Sequence, residues 1–211
     1  MRLEWLPDIV LDVSLLKGTV YQLAKKFCRI VLAPSAGGFQ KKTIPLSTIF
    51  YYMQKEFTTS FEAIESYDHL DETEKKLFDT AQKFREIAYA PYSNFTVGCA
   101  IMLENGEIIS GSNQENAAYP SGLCAERTTI FWIGANHPNI KIKKLFVIGA
   151  PKDAVSSVPI PPCGACRQSI LEYEAKQQQG IEIYFASLGG AIYKTRSIRD
   201  LLPFSFDASY L

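Results

Sequence analysis

The sequence predicts an α/β domain built around a mixed sheet of about five strands. Three features carry that expectation. A capped helix at "DETEKKLFDTAQKFREIAYAP" leads into two apolar segments, "FTVGCAIML" and "EIISG", joined through Asn105-Gly106. Segments with strand and helix character then alternate as "KKLFVIGA", "CRQSILEYEAKQQQ" and "IEIYFAS", the order expected of a sheet with helices packed on it. Last, the "LGG" before "AIYKT" is too short for a crossover helix, so the final strand returns antiparallel beside "IEIYFAS".

Each element has a local reason. Asp71 can cap the first helix with Glu74 three residues on, and Leu77, Phe78, Ala81, Phe84 and Ala88 fall on one face before Pro91 stops it. The Asn105-Gly106 dipeptide favours a tight reversal, so the two segments around it read as a hairpin. "KKLFVIGA" is a strand whose residues after the two lysines are all apolar, as expected of a strand in a covered sheet, and a proline-rich loop follows it to Pro162.

At 211 residues, with 47% apolar and 12% aromatic side chains, the chain can bury one full core. Lys+Arg and Asp+Glu both total 22, so no global basic field would collect a nucleic acid or an anionic membrane. The five cysteines are an odd number in a chain too large to need disulfide staples, and two form a C-x-x-C pair. That favours a reducing compartment, the cytoplasm, with metal or thiol chemistry. Charge is uneven along the chain. Residues 1 to 52 carry seven basic side chains against three acidic ones, which leaves the other 159 residues at −4. Within that segment "YQLAKKFCRIVLAP" suggests a short amphipathic helix ended near Pro34, and "SAGGFQKKTIPLS" has a linker's composition. Residues 1 to 52 are therefore expected to be a leader, either disordered or upstream of a true start at Met53, with the folded domain at 53 to 211. No apolar run reaches the length needed to cross a bilayer, about 18 residues, and the acids at 4, 8 and 12 argue against a transit peptide.

The chemistry gathers at two helix starts. Cys124 opens one helix, and Cys163 and Cys166 of "PCGAC" open another at i and i+3, so three sulfurs can converge at the positive ends of two helices. Thiolates there are good zinc ligands, and a site with three protein ligands keeps its fourth position for water. Glu126, two residues from Cys124, can reach such a water without coordinating the metal and can carry its proton. On spacing alone Cys163 and Cys166 could be a redox dithiol, but a dithiol site needs neither Cys124 nor Glu126. Cys99 reads as a small core residue, and His69 and His137 as solvent-facing. Lys141, Lys143 and Lys144 read as the solvated rim of a buried strand.

The stretch "VGCAIMLENGEIISGSNQENAAYPSGLCAERT", with "PIPPCGACRQ" and "LLPFSF", resembles the cytidine deaminases of free-nucleoside salvage, in particular the small all-cysteine homotetrameric kind. The resemblance covers residues 72 to 211 almost continuously and has no counterpart for the leader. It implies a three-layer sandwich with helices on both sheet faces, zinc held by Cys124, Cys163 and Cys166, and Glu126 as the proton shuttle. It further implies that Asn113 and Glu115 hold the ribose hydroxyls, that Phe95 packs on the base and that the backbone of Ala125 reads the pyrimidine edge. Arg127 would hydrogen bond the thiolates, offsetting the −1 that three of them leave around a dication. Tyr119 would lie where subunits and pocket meet, and Phe206 would enter a neighbouring subunit's site in a homotetramer. The implied activity is hydrolytic deamination of cytidine and deoxycytidine to the uridines in pyrimidine salvage. Two alternatives are deamination of another aminopyrimidine nucleoside analogue and a zinc-stabilised interaction domain without catalysis. Polynucleotide editing is disfavoured by the acidic domain, which has no aromatic and basic track for a strand.

Overall fold

A computed structural model describes residues 9–10, 29–32, 42–43 and 55–211 of the chain. The chain divides into two compact units, Met1–Glu56 and Phe57–Leu211. In the first, β1 (Ile9–Val10), β2 (Arg29–Leu32) and β3 (Lys42–Thr43) form a small antiparallel sheet. Arg29–Leu32, expected near the end of a helix, is thus a strand, while the rest of that expected helix lies outside the described residues.

The second unit holds a six-stranded mixed sheet in the order β4-β9-β8-β7-β5-β6. Its strands are β4 (Glu62–Ile64), β5 (Phe95–Leu103), β6 (Ile108–Ser112), β7 (Ile142–Pro151), β8 (Glu182–Ala186) and β9 (Ile192–Thr195). Only β7 and β8 pair parallel; β9 returns antiparallel on β8, as the short "LGG" connection requires. The sixth strand, β4, adds to the sheet edge beside β9, which the expected five strands did not include.

Helix α1 (Glu72–Glu86) starts at a complete capping box, with the Asp71 side chain on the Glu74 amide and the Glu74 side chain on the Asp71 amide. Helices α2 (Ala125–Asn136) and α3 (Gly164–Gln177) lie between β6 and β7 and between β7 and β8. Strand alternation sorts the core into two layers. Cys99, Ile101, Leu145, Val147 and Ile183 pack with Ile130 and Ile133 of α2 and Ile170 and Leu171 of α3. On the opposite face Ala100, Phe146, Ile148 and Tyr184 pack with Leu77 and Ala81 of α1. The result is the three-layer sandwich with helices on both faces.

The α1 seam is very tight at Gly98, where an added Cβ would stand 1.9 Å from the Ala81 carbonyl oxygen. The β5–β6 reversal uses three loop residues, with Gly106 at φ +84° and the Leu103 amide donating to the Glu107 carbonyl, so glycine supplies the left-handed position. Lys144 is not part of a solvated rim. Its ammonium lies 3.1 Å from Glu74 Oε1 and 3.2 Å from the Tyr184 hydroxyl, inside the α1 layer. His137 is half-buried, with Nδ1 3.8 Å from Glu107 and its ring 5.3 Å from Trp132. His69 is exposed, as expected.

Candidate active site

The N-termini of α2 and α3 meet at one end of the sheet, and both N-caps are cysteines, Cys124 and Cys163. An N-cap side chain normally accepts a backbone amide of its own helix. Among the described residues neither sulfur does so, and each stays available for another partner. Cys166, one turn into α3, completes a group whose sulfurs all lie within 4.8 Å of one another. Cys124 and Cys163 are 3.7 Å apart and Cys163 and Cys166 3.4 Å. Sulfurs bound to one zinc at about 2.3 Å in a tetrahedron stand roughly 3.8 Å apart, so the trio fits that ion with little movement.

The thiols perturb one another. Cys166 first, then Cys163 and the Arg127 guanidinium, lower Cys124 to about 5 against the effect of burial, while its neighbour Cys124 and burial push Cys166 up. Burial alone would lower the Arg127 guanidinium, but the thiols beside it, Cys124 foremost, outweigh that and raise it. Among the described residues its buried Nε has no hydrogen-bond partner. Glu126 is 4% exposed, and burial, reinforced by Cys124, raises its carboxyl to about 7. A carboxyl there can both take and give a proton near neutral pH.

Cys124, Cys163, Glu126 and Arg127 line one cavity of about 650 Å³, within the range of small-ligand sites. Phe95, Asn113, Glu115 and Tyr119 line it too. The stretch 113–115 is drawn there by backbone bonds that tie Gln114 to Leu123 and Glu115 to Tyr89. Asn113 is also a fold clamp: its Oδ1 accepts the Val97 amide at 2.8 Å and its Nδ2 donates to the Phe95 carbonyl at 2.9 Å. The Glu115 carboxylate accepts the Ser93 hydroxyl and the Tyr92 and Ser93 amides, which hold it below the ordinary carboxylate range. Ala125 is fully buried, backbone included, and is not among the residues lining the cavity. Tyr119, 75% exposed, stands edge-on to Tyr92 at the rim.

Phe206 is not among the residues lining this cavity; it is exposed and stacks on Tyr210. Sequence reasoning missed Tyr92, Ser93, Leu123, Ile160 and Pro161, which also line the cavity. The "PYSNF" turn and the prolines before Cys163 were the available signals, since turn residues beside a helix start crowd whatever that start binds. Cys99 is fully buried in the core, in agreement with its reading.

A sulfur cage fit for a Lewis acid and a buried acid–base carboxyl opening on one cavity place the protein among metal-assisted hydrolases. Residues 71–179 match the family model of the cytidine and deoxycytidylate deaminase zinc-binding region. The chain is 39% identical over 139 residues to a cytidine deaminase of Sporosarcina psychrophila, across 64% of this chain and 95% of that one. It is 36% identical over 132 residues to a cytidine deaminase of Halalkalibacterium halodurans, across 63% of this chain and 92% of that one. The crystal structure of a cytidine deaminase from Burkholderia pseudomallei superposes with a TM-score of 0.54 at 37% identity, covering 62% of this chain and 97% of that one. The chain belongs to the cytidine deaminase family.

Proposed function

We infer that the protein is a zinc-dependent hydrolase that converts cytidine and deoxycytidine, with water, to the uridines and ammonia. The observation that carries this reading is three sulfurs at zinc-tetrahedron spacing beside the buried Glu126 in one cavity. Zinc bound there would acidify a water toward a pKa of about 7 and supply the nucleophile. Cys124, Cys163 and Cys166 would hold it, with Arg127 balancing their charge. Glu126 takes one proton from the attacking water and delivers it to the ring N3, which makes C4 electrophilic; the water oxygen bonds to C4, and Glu126 carries that oxygen's second proton to the amino group, which leaves as ammonia. Phe95 walls the base, Asn113 and Glu115 hold the ribose hydroxyls, and the Ala125 backbone reads the pyrimidine edge. The exposure of Tyr119 and Phe206 supports a homotetramer in which such aromatics complete neighbouring sites. The balanced charge and thiol content support a cytoplasmic role in pyrimidine salvage. Residues 1 to 52 belong, in this reading, to a leader apart from the deaminase domain, which the intact mass of the native gene product tests.

Loss of the cytidine absorbance band on adding the purified protein, with zinc assayed on the same sample, tests the activity. One zinc per chain with turnover is expected, and absence of both sinks the reading. Glu126→Gln should keep the zinc and lose about 10²- to 10⁴-fold in turnover, the usual contribution of a positioned acid–base group. A non-catalytic zinc domain would instead show no turnover in either protein.

A further inference from the structure

Arg167 follows Cys166 directly but does not line the cavity. Its side chain spans two carbonyls: Nε donates to Pro162 at 2.7 Å and Nη1 donates to Leu201 at 2.7 Å. Its own amide donates to the Cys163 carbonyl at 2.9 Å. The amide bond is the ordinary first turn of α3, so the grip particular to arginine is the side-chain one, on the carbonyl just before the Cys163 nitrogen and on the Leu201 turn. The segment needs such a grip, because it ends a proline-rich loop that lies outside any helix or strand and Cys163 itself is exposed.

The far end of the clamp is firm. Leu201 ends the 3-10 turn Ile198–Leu201, whose first residue is fully buried. That turn is pinned to α3 by Glu174, a buried carboxylate that accepts the Ile198 amide, the Ile181 amide and the Ser197 hydroxyl at 2.7 to 2.8 Å. Guanidinium suits the task because its planar fork serves two acceptors at fixed angles, whereas an ammonium is a point donor.

We propose that Arg167 is a positioning residue of the metal centre, fixing the Cys163 sulfur by tying the Pro162–Cys163 peptide to the Leu201 turn. The role rests on the reading that the three cysteines hold zinc. Partners of this kind, one step behind the ligands, cost about 10- to 100-fold in metal affinity or activity when removed.

Zinc transfer to a chromogenic chelator, timed from zinc-loaded wild type, Arg167→Lys, Arg167→Gln and Gln168→Ala, tests this. Both Arg167 variants should release zinc about 10- to 100-fold faster than wild type, with lysine retaining more than glutamine. Gln168→Ala, which loses a bond from the same helical turn to the Phe206 carbonyl, should release it at the wild-type rate. Wild-type release rates in folded, zinc-loaded Arg167 variants overturn the proposal. So does failure of both Arg167 variants to fold, which would make the residue a determinant of folding and not of the metal site. Wild type that holds no zinc would instead overturn the underlying assignment of the cysteines.

Discussion

Tyr184→Phe should destabilise the protein strongly at neutral pH and much less in acid, with little effect on catalysis. The Tyr184 hydroxyl, in a fully buried side chain, lies 2.6 Å from Glu74 Oε1 and 2.7 Å from Glu182 Oε2, with the Lys144 ammonium 3.2 Å away. Removing it takes the neutral donor from two carboxylates that then share only the Lys144 ammonium, 3.1 Å from Glu74 and 3.4 Å from Glu182. Hydrogen bonds to charged groups contribute about 1.5–3 kcal/mol each, and one hydroxyl proton serves both acceptors, so a loss of about 2–4 kcal/mol is expected at pH 7. That corresponds to a drop of about 4–16 °C in melting temperature for a chain of this size. The pH dependence has a definite sign. Burial alone would raise both carboxyls, but for Glu74 the Tyr184 hydroxyl, the Asp71 amide and Lys144 outweigh it, and for Glu182 the Tyr184 hydroxyl, Lys144 and Lys194 do, so both end below their ordinary values. A depressed carboxyl contributes stability above its unfolded pKa, lost as pH falls through its folded one. The difference between variant and wild type should therefore be full at pH 7 and shrink toward pH 4. Urea unfolding at both pH values measures it, and zinc loss in acid, common to both proteins, cancels from the difference. Tyr184 packs in the α1 layer, on the sheet face opposite the cysteine-bearing helices, so kcat and KM at 25 °C should stay within about twofold. A loss under about 1 kcal/mol at pH 7, or one that does not shrink in acid, would refute the shared-donor argument.

Other perturbations test the scaffold and the site. Gly98→Ala puts a methyl 1.9 Å from the Ala81 carbonyl and 2.5 Å from the Arg85 amide, so α1 must back off the sheet; a loss of about 3 kcal/mol or more is expected in the unfolding midpoint. Asn113→Ala strips the Val97 amide and the Phe95 carbonyl of their side-chain partners; it should cost about 1–3 kcal/mol in urea unfolding and raise KM more than it lowers kcat. Removing zinc with a strong chelator should stop turnover and expose Cys124 and Cys163 to alkylation, mapped by peptide mass, while buried Cys99 stays protected; added zinc should restore both properties.

Much of the scaffold was legible because its signals are local. The Asp71 and Glu74 capping box, the stop before Pro91 and the hairpin at Asn105-Gly106 each act within a few residues. The cysteine trio was readable for a related reason, since an i and i+3 pair on one helix start converges whatever the rest of the chain does. β4 was not legible. Its three residues are mostly exposed and carry no strand period, and their partner β9 lies about 130 positions along the chain. Lys144 was misread for the same reason. Nothing beside it in sequence announces Glu74, 70 residues earlier, or Tyr184, 40 residues later.

The sequence by itself determined the helix starts, the alternation of the sheet, the zinc-type donor set and the carboxyl beside it. Those follow from caps, periods and spacings that operate over one or two turns of chain. The tertiary structure alone decided that Glu126 is buried enough to be raised to about 7, that Asn113 clamps β5 as it lines the cavity, and that Arg167 braces the loop before Cys163. Burial and long-range hydrogen bonds depend on which distant segments pack together, and a local pattern does not contain that information.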